Sequence, residues 1–271
     1  MASSEPTAVI VCGAAGRMGR RLIALATETA DLRVAGAVEA RGHAAVGSDA
    51  GDLAGTGRLG IPVADDLAAI CRAEHVVIDF TMPASTLTHA RLAAERGASL
   101  VIGTTGLTAE QARMLRETAG RTRAVITANY SIGVTVLTEV AALAARLLDP
   151  SFEAEIIEMH HHDKRDAPSG TALALGRAIA TARSLDFDAA AVTARSGDVG
   201  PRRAGEIGIV AVRGGDVVGD HTVVLAGMGE RLELTHRAQS RDSLVRGALR
   251  AARWIASRPP GVYGMRDVLG L

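Results

Sequence analysis

Through Asn129, short runs of β-branched and other apolar residues alternate with stretches whose apolar positions recur every three or four residues. The runs 7–13, 32–39, 75–80, 98–104 and 123–129 predict strands. Between them, 17–30, 66–73, 83–97 and 108–120 have helical spacing. Apolar strands separated by helices imply βαβ crossovers and a parallel sheet covered on both faces. The pattern then changes. Residues 133–148 predict a long helix with Val136, Val140, Leu143 and Leu147 on one stripe. A strand at 153–162, a helix from about Gly170, and strands at 206–213, 217–226 and 231–238 follow. Strands in succession without helices between them imply antiparallel or mixed pairing, hence a second domain of α+β type. Weak patterning over 184–203 predicts that part of it is loop. A final helix is expected at 242–257, with Leu244, Ala248, Ala252 and Ile255 in register. The fold class is therefore α/β: an open parallel-sheet domain of Rossmann-like topology over 1–129 and an α+β domain over 130–239.

Composition narrows the function classes. The 271 residues carry 30 Lys+Arg against 30 Asp+Glu, so the formal charge is zero and no cationic face for nucleic acid is expected. Only 2% are aromatic, which leaves little for base-stacking platforms. No stretch approaches the 18 or so apolar residues that span a membrane. Residues 1–6 lack the basic start of a signal peptide and read as a disordered leader. Cys12 and Cys71 make no disulfide framework, so a cytoplasmic protein is expected.

Candidate chemistry begins in the first βα turn. Val9-Ile10-Val11-Cys12 runs into Gly13-Ala14-Ala15-Gly16-Arg17-Met18-Gly19. Glycines there let backbone approach a pyrophosphate, and the helix N-terminus offers unpaired N–H groups. Glu39 falls 20 residues after Gly19, at the end of the second strand, where an acid can accept hydrogen bonds from ribose hydroxyls. A tight turn without a ligand is the bland alternative. Gly103-Thr104-Thr105-Gly106 and Thr127-Ala128-Asn129-Tyr130 lie at carboxyl ends of predicted parallel strands, where open α/β sheets bind ligands. Each could equally be an ordinary turn.

The second cluster is Glu158-Met159-His160-His161-His162-Asp163-Lys164-Arg165-Asp166-Ala167-Pro168-Ser169-Gly170-Thr171. On a strand, neighbours point to opposite faces, so of the three histidines only His160 and His162 could share an ion. No further Cys or His cluster completes four ligands, and no metal is expected. Ser169 can cap the helix from Gly170, so that the N–H groups of Gly170 and Thr171 form a pocket for a carboxylate. His160 and Lys164 can supply protons beside it, and His161 a charge-assisted hydrogen bond. An anionic substrate, a nicotinamide and a proton donor together describe a reductase site.

The segments GAAGRMGR, FTMPAST, GTTG, ANYSIGV, EMHHHDKRDAPSGTALALG and GDVVGDHTVVLAGMGERLELTHRAQSR together resemble the 4-hydroxy-tetrahydrodipicolinate (dihydrodipicolinate) reductase family. The likeness runs from about Val9 to the terminal DVLGL. It implies NADH- or NADPH-dependent reduction of a cyclic dicarboxylate with loss of water, in diaminopimelate and lysine synthesis. His160 matches the family's acid/base histidine and Lys164 its proton-donating lysine. His161, Gly170 and Thr171 match positions that hold substrate carboxylates. Gly13–Met18, Glu39, Gly103–Thr105 and Thr127–Tyr130 match nucleotide-contacting segments. The family pattern also implies a homotetramer, and a last segment, 240–271, that returns to the dinucleotide-binding domain. One departure bears on the cofactor. Family members often carry a basic residue directly after the acid; here that place is Ala40, with Arg41 next, which favours NADH. The competing readings are a dinucleotide sensor without chemistry and another two-domain dehydrogenase. A semialdehyde-type enzyme needs a nucleophilic cysteine, and neither Cys12 nor Cys71 is well placed for one.

Overall fold

The computed structural model describes residues 5–271; residues 1–4, part of the expected leader, lie outside the described residues. The chain divides into two compact units, residues 1–131 with 244–271, and 132–243. In chain order the first unit contains β1 (Thr7–Cys12), α1 (Arg17–Thr27), β2 (Leu32–Val38), α2 (Ala50–Ala54), β3 (Val63–Ala64), α3 (Leu67–Ile70), β4 (Val76–Asp79), α4 (Pro83–Arg96), β5 (Ser99–Ile102), α5 (Ala109–Ala119) and β6 (Arg123–Ile126). The second contains α6 (Ile132–Leu147), β7 (Glu153–His160), α7 (Gly170–Ala182), α8 (Phe187–Ala190), β8 (Ala191–Val192), β9 (Ile207–Arg213), β10 (Gly219–Ala226) and β11 (Arg231–Ala238). Beyond it run α9 (Asp242–Ile255), which enters the first unit at Leu244, β12 (Gly261–Tyr263) and α10 (Met265–Leu269).

The first unit's seven strands lie in the order β12-β6-β5-β4-β1-β2-β3, and every pairing is parallel. Such strands are near-continuous apolar runs because both faces are covered. The buried cluster accordingly joins Ile10, Val77, Leu100 and Ala124 from the sheet with Ala90, Ala93, Leu115 and Ala119 from α4 and α5. Strands β3 and β12 were not expected; with two and three residues they are too short to show a period.

In the second unit the order is β11-β10-β7-β9-β8, antiparallel on the β10 side of β7 and parallel on the β9 side. Ala154 and Ile156 of β7, Ile207 and Ile209 of β9, and Val223 and Leu225 of β10 form one core with Leu175 and Ile179 of α7. The α6 stripe requires a correction. Val136, Val140, Leu143 and Leu147 are exposed, and the buried face is Val134, Leu137, Ala141 and Ala145. A helix apolar on most sides offers two stripes, and the one with smaller side chains is the one that is covered. Strand β7 also stops at His160, two residues short of the expected end.

A close backbone approach fixes the first unit's closing segment. A Cβ on Gly247 of α9 would stand 1.7 Å from the carbonyl oxygen of Tyr130, which is backbone and cannot yield. Gly247→Ala should therefore lower folding stability by at least about 1–3 kcal/mol, read from chemical denaturation. An unchanged midpoint would mean that α9 does not approach Tyr130 this closely.

Candidate active site

The first βα turn is shaped by three glycines. Gly13 has φ +71, in the left-handed region that glycine alone enters cheaply. Its N–H and that of Ala14 both donate to the Val38 carbonyl, at 2.9 and 3.0 Å. A Cβ on Gly19 would lie 2.1 Å from the Gly13 carbonyl oxygen, so helix α1 can begin this close to β1 only with glycine there. Helix α1 has Gly16 at its N-cap, with no side chain occupying the cap. An open helix N-terminus beneath a glycine turn suits a pyrophosphate. Gly103 follows the same logic at the end of β5, where a Cβ would fall 2.0 Å from the Phe80 ring.

Glu39 sits beside this turn and is already engaged. Its carboxylate accepts from the Ala15 N–H and the Ala40 N–H, each at 2.9 Å. Each carboxylate oxygen keeps a further lone pair for a ribose hydroxyl. Next to the turn, a cleft of about 500 Å³ is lined by Gly13, Glu39, Arg41, Thr81, His89 and Arg91, among others. Its acids, Glu39, Asp65, Asp66 and Glu95, outnumber its two arginines. Arg41 lies 3.6 Å from Asp65 and Arg91 4.0 Å from Glu95.

Sequence reasoning missed the carboxylate that organises the neighbouring turns. Asp79, 1% exposed at the end of β4, accepts from His89 Nδ1 at 2.6 Å through Oδ2. Its Oδ1 accepts from the Thr81 N–H, the Thr81 hydroxyl and the Thr86 hydroxyl at 2.8, 2.7 and 3.0 Å. Thr86 in turn meets Thr104 at 2.6 Å. Burial pushes the Asp79 carboxyl up, but the bonds from His89 and Thr81 outweigh it and hold the group below its ordinary range. Cys12 lies close enough to Asp79 and His89 for the three to be weighed as metal ligands. Asp79 and His89 bond directly to each other. Burial also pushes the Cys12 thiol well up, which makes it a poor nucleophile.

Two expected nucleotide contacts read differently in three dimensions. Tyr130 is 1% exposed, and its hydroxyl lies within hydrogen-bond distance of the Ile102 and Val125 carbonyls; its side chain is core. The Thr127 hydroxyl donates to the Asn129 carbonyl and accepts from the Asn129 N–H, forming a closed turn beside the strand ends. Thr104 is buried, whereas Thr105, Arg17 and Gly16 are exposed.

In the second unit, alternation along β7 buries Ala154, Ile156, Glu158 and His160 on one face. The apolar half of that face meets the helices; the polar half meets the start of α7. Ser169 caps α7, accepting from the Ala172 N–H at 3.1 Å. His160 Nδ1 lies 2.6 Å from Glu158 Oε2. Glu158, fully buried, also accepts both arms of Arg213, at 2.9 and 2.8 Å, and the Ser169 N–H at 3.0 Å. Burial alone would raise its carboxyl, but the bonds from Arg213, His160 and Ser169 hold it below the ordinary range. Arg213 also donates to the Asp166 carbonyl at 2.7 Å, and Asp166 receives both its carboxylate bonds from Lys164, at 2.8 and 2.9 Å. The Lys164 bond holds the Asp166 carboxyl down. One chain of contacts thus runs from His160 through Glu158, Arg213 and Asp166 to Lys164.

His221 of β10, opposite Glu158 in the register, meets Ser169 Oγ at 3.1 Å and stands edge-on to His160 with ring centroids 5.2 Å apart. Burial, then the His160 charge, pushes its pKa down to about 4, so it stays neutral. His161 is half-buried and donates its N–H to the Val217 carbonyl. His162 is exposed and turned to the Gly215 carbonyl, 2.8 Å from its Nδ1. Because β7 ends at His160, strand alternation does not bring His162 onto the His160 face.

Family models match the chain in two adjoining parts. Dihydrodipicolinate reductase, N-terminus, matches residues 7–130, and dihydrodipicolinate reductase, C-terminus, matches 133–269. A 4-hydroxy-tetrahydrodipicolinate reductase of Anaeromyxobacter dehalogenans is 50% identical over 266 residues, 98% of each chain. One from Citrifermentans bemidjiense is 47% identical over 263 residues, 97% of this chain and 98% of its own. Among solved structures, a dipicolinate-bound dihydrodipicolinate reductase from Paenisporosarcina superposes with a TM-score of 0.74 at 23% identity, covering 97% of this chain and 99% of that one, and so shares the fold. With both of its parts matched and relatives near half identity over the whole length, the chain belongs to the dihydrodipicolinate reductase family.

Proposed function

We propose that this protein is a nicotinamide-dependent oxidoreductase that reduces 4-hydroxy-tetrahydrodipicolinate to tetrahydrodipicolinate with loss of water, in diaminopimelate and lysine synthesis. The observation that carries the reading is the continuous network joining His160 to Lys164 beside the N-terminus of α7. The relatives that match over the whole chain are named for this reaction.

When bound, the nicotinamide supplies a hydride. The turn at Gly13, Ala14, Ala15, Gly16, Arg17 and Met18 holds its pyrophosphate, with Glu39 on the ribose diol. Gly103, Thr104 and Thr105 and the segment Thr127–Tyr130 border the nucleotide, Tyr130 by packing alone. The substrate's carboxylates lie against the Gly170 and Thr171 N–H groups and His161. His160 and Lys164 manage the protons that ring reduction and loss of hydroxide require. Lys164 is four-fifths covered and held by Asp166, so an arriving carboxylate competes with Asp166 for the ammonium. The acid-rich cleft beside Glu39, whose two arginines are paired, disfavours a 2′-phosphate dianion. NADH is therefore used at least as well as NADPH. The exposed apolar positions Ile157, Val210, Val212 and Leu232 of the second unit's sheet, with the outer stripe of α6, support association, read here as a homotetramer. Two buried free cysteines suit a cytoplasmic enzyme.

A coupled assay, with pyruvate and aspartate semialdehyde converted by the upstream aldolase, should show oxidation of NADH on adding this protein. No turnover with either cofactor would favour a dinucleotide-binding sensor. Comparing the two cofactors, kcat/KM with NADPH should not exceed that with NADH by about tenfold, or about 1.4 kcal/mol; a larger excess contradicts the role given to Glu39. Lys164→Ala and His160→Gln should each lower kcat by about a hundredfold or more, with cofactor binding by fluorescence quenching unchanged. Near-full activity in either removes that residue from its role.

A further inference from the structure

The buried carboxylate of Glu158 lies outside the acid/base set, yet it fixes what that set can do. Glu158 and His160 are two residues apart on β7 and so leave the same face. Glu158 is fully buried and takes four hydrogen bonds, from two arms of Arg213, the Ser169 N–H and His160. Arg213 stands opposite His160 in the β7–β9 register. A guanidinium cannot give up its proton, and facing it the carboxylate stays ionised and acceptor-only. The 2.6 Å contact therefore needs its proton on His160 Nδ1.

That leaves Nε2. No residue described bonds to it, and a Cβ on Gly219 would stand 2.9 Å away. Glycine at that point keeps open the space Nε2 faces. The charged and titratable groups packed about the ring include Glu158 on its own strand, Arg213 opposite it on β9 and neutral His221 on β10, with His236 of β11 opposite His221; Lys164 and Asp166 on the following loop connect to them through Arg213. Of these only Glu158 bonds to the imidazole.

We propose that Glu158 is a positioning residue that locks His160 in the Nδ1–H tautomer, so that Nε2 alone takes up and returns the proton in the reaction. Arg213 is the counter-ion that keeps Glu158 a carboxylate, and by holding the Asp166 carbonyl it ties the Lys164 loop to the same point. This rests on His160 being the acid/base group. It adds which nitrogen acts and what enforces it.

Long-range ¹⁵N correlation spectra of histidine-labelled native protein, with His160 assigned by loss of its signals in His160→Gln, test this directly. Neutral His160 should carry its proton on Nδ1; an Nε2–H tautomer overturns the proposal. In steady-state kinetics, Glu158→Gln should lower kcat by about a hundredfold or more, the direction seen when a buried carboxylate that orients a catalytic histidine is neutralised. KM for NADH should stay within about twofold. The kcat limb due to His160 should move to lower pH, because losing the carboxylate disfavours the imidazolium. A purely structural role would leave that limb in place. A folded Glu158→Gln variant with native kcat and an unmoved limb overturns the proposal, and if that variant does not fold, the native tautomer decides. An active His160→Gln would instead sink the underlying reading, whereas inactive His160→Gln beside fully active Glu158→Gln leaves that reading intact and removes Glu158 from its role.

Discussion

A carboxylate taken wholly out of water must be repaid in hydrogen bonds or it will not stay charged, and Glu158 is such a group. Its two oxygens draw in a guanidinium from β9, a backbone N–H from the start of α7 and an imidazole from its own strand. Removing any partner would leave the others pointing at an unsatisfied buried charge. The local consequences follow from that demand. Ser169 is placed so that its side chain caps α7 while its N–H serves Glu158, and Arg213 is fixed so that one further N–H reaches the loop of Lys164. Neutral His221 stands edge-on to the His160 ring without adding a competing charge.

The first unit uses the same device. Asp79 ends a buried apolar strand, as Glu158 nearly does, and its oxygens gather His89, Thr81 and Thr86. Through Thr86 the bond reaches Thr104, so the turns after β4 and β5 and the start of α4 are held as one piece. The flexibility expected of glycine-rich turns is thus limited from below by a buried acid. In both units, a buried acid behind the candidate site fixes the groups in front of it.

Much of this was legible in the sequence, and the limits have physical causes. The βα alternation, the glycine turn and the His160–Thr171 segment are local patterns, and they fall where their periods and caps require. Strand β7 also carried a readable clue: with period two, Glu158 shares the face of Ile156 and His160. Arg213 could not be found this way, because the parallel pairing of β7 and β9 brings it from 55 residues away. His89 was likewise hidden, one histidine on a helix whose partner lies in the preceding strand. The inverted reading of α6 shows a limit of periodicity itself. Two interleaved apolar stripes carry the same spacing, and only packing against α7 and β11 selects Ala141 and Ala145 over Val140 and Leu143.

The account turns on Glu158 being charged inside the folded protein. A ¹³C titration of its side-chain carboxyl, assigned with Glu158→Gln, measures that directly. The carboxyl should remain ionised as pH falls through the ordinary glutamate range and take up its proton only below it, because Arg213, His160 and Ser169 outweigh burial. The stability this gives is present above the unfolded group's value and lost as pH falls through the lower folded one. A carboxyl that protonates above the ordinary value would mean that burial wins, that His160 faces a neutral acid, and that the network does not set the proton-transfer site.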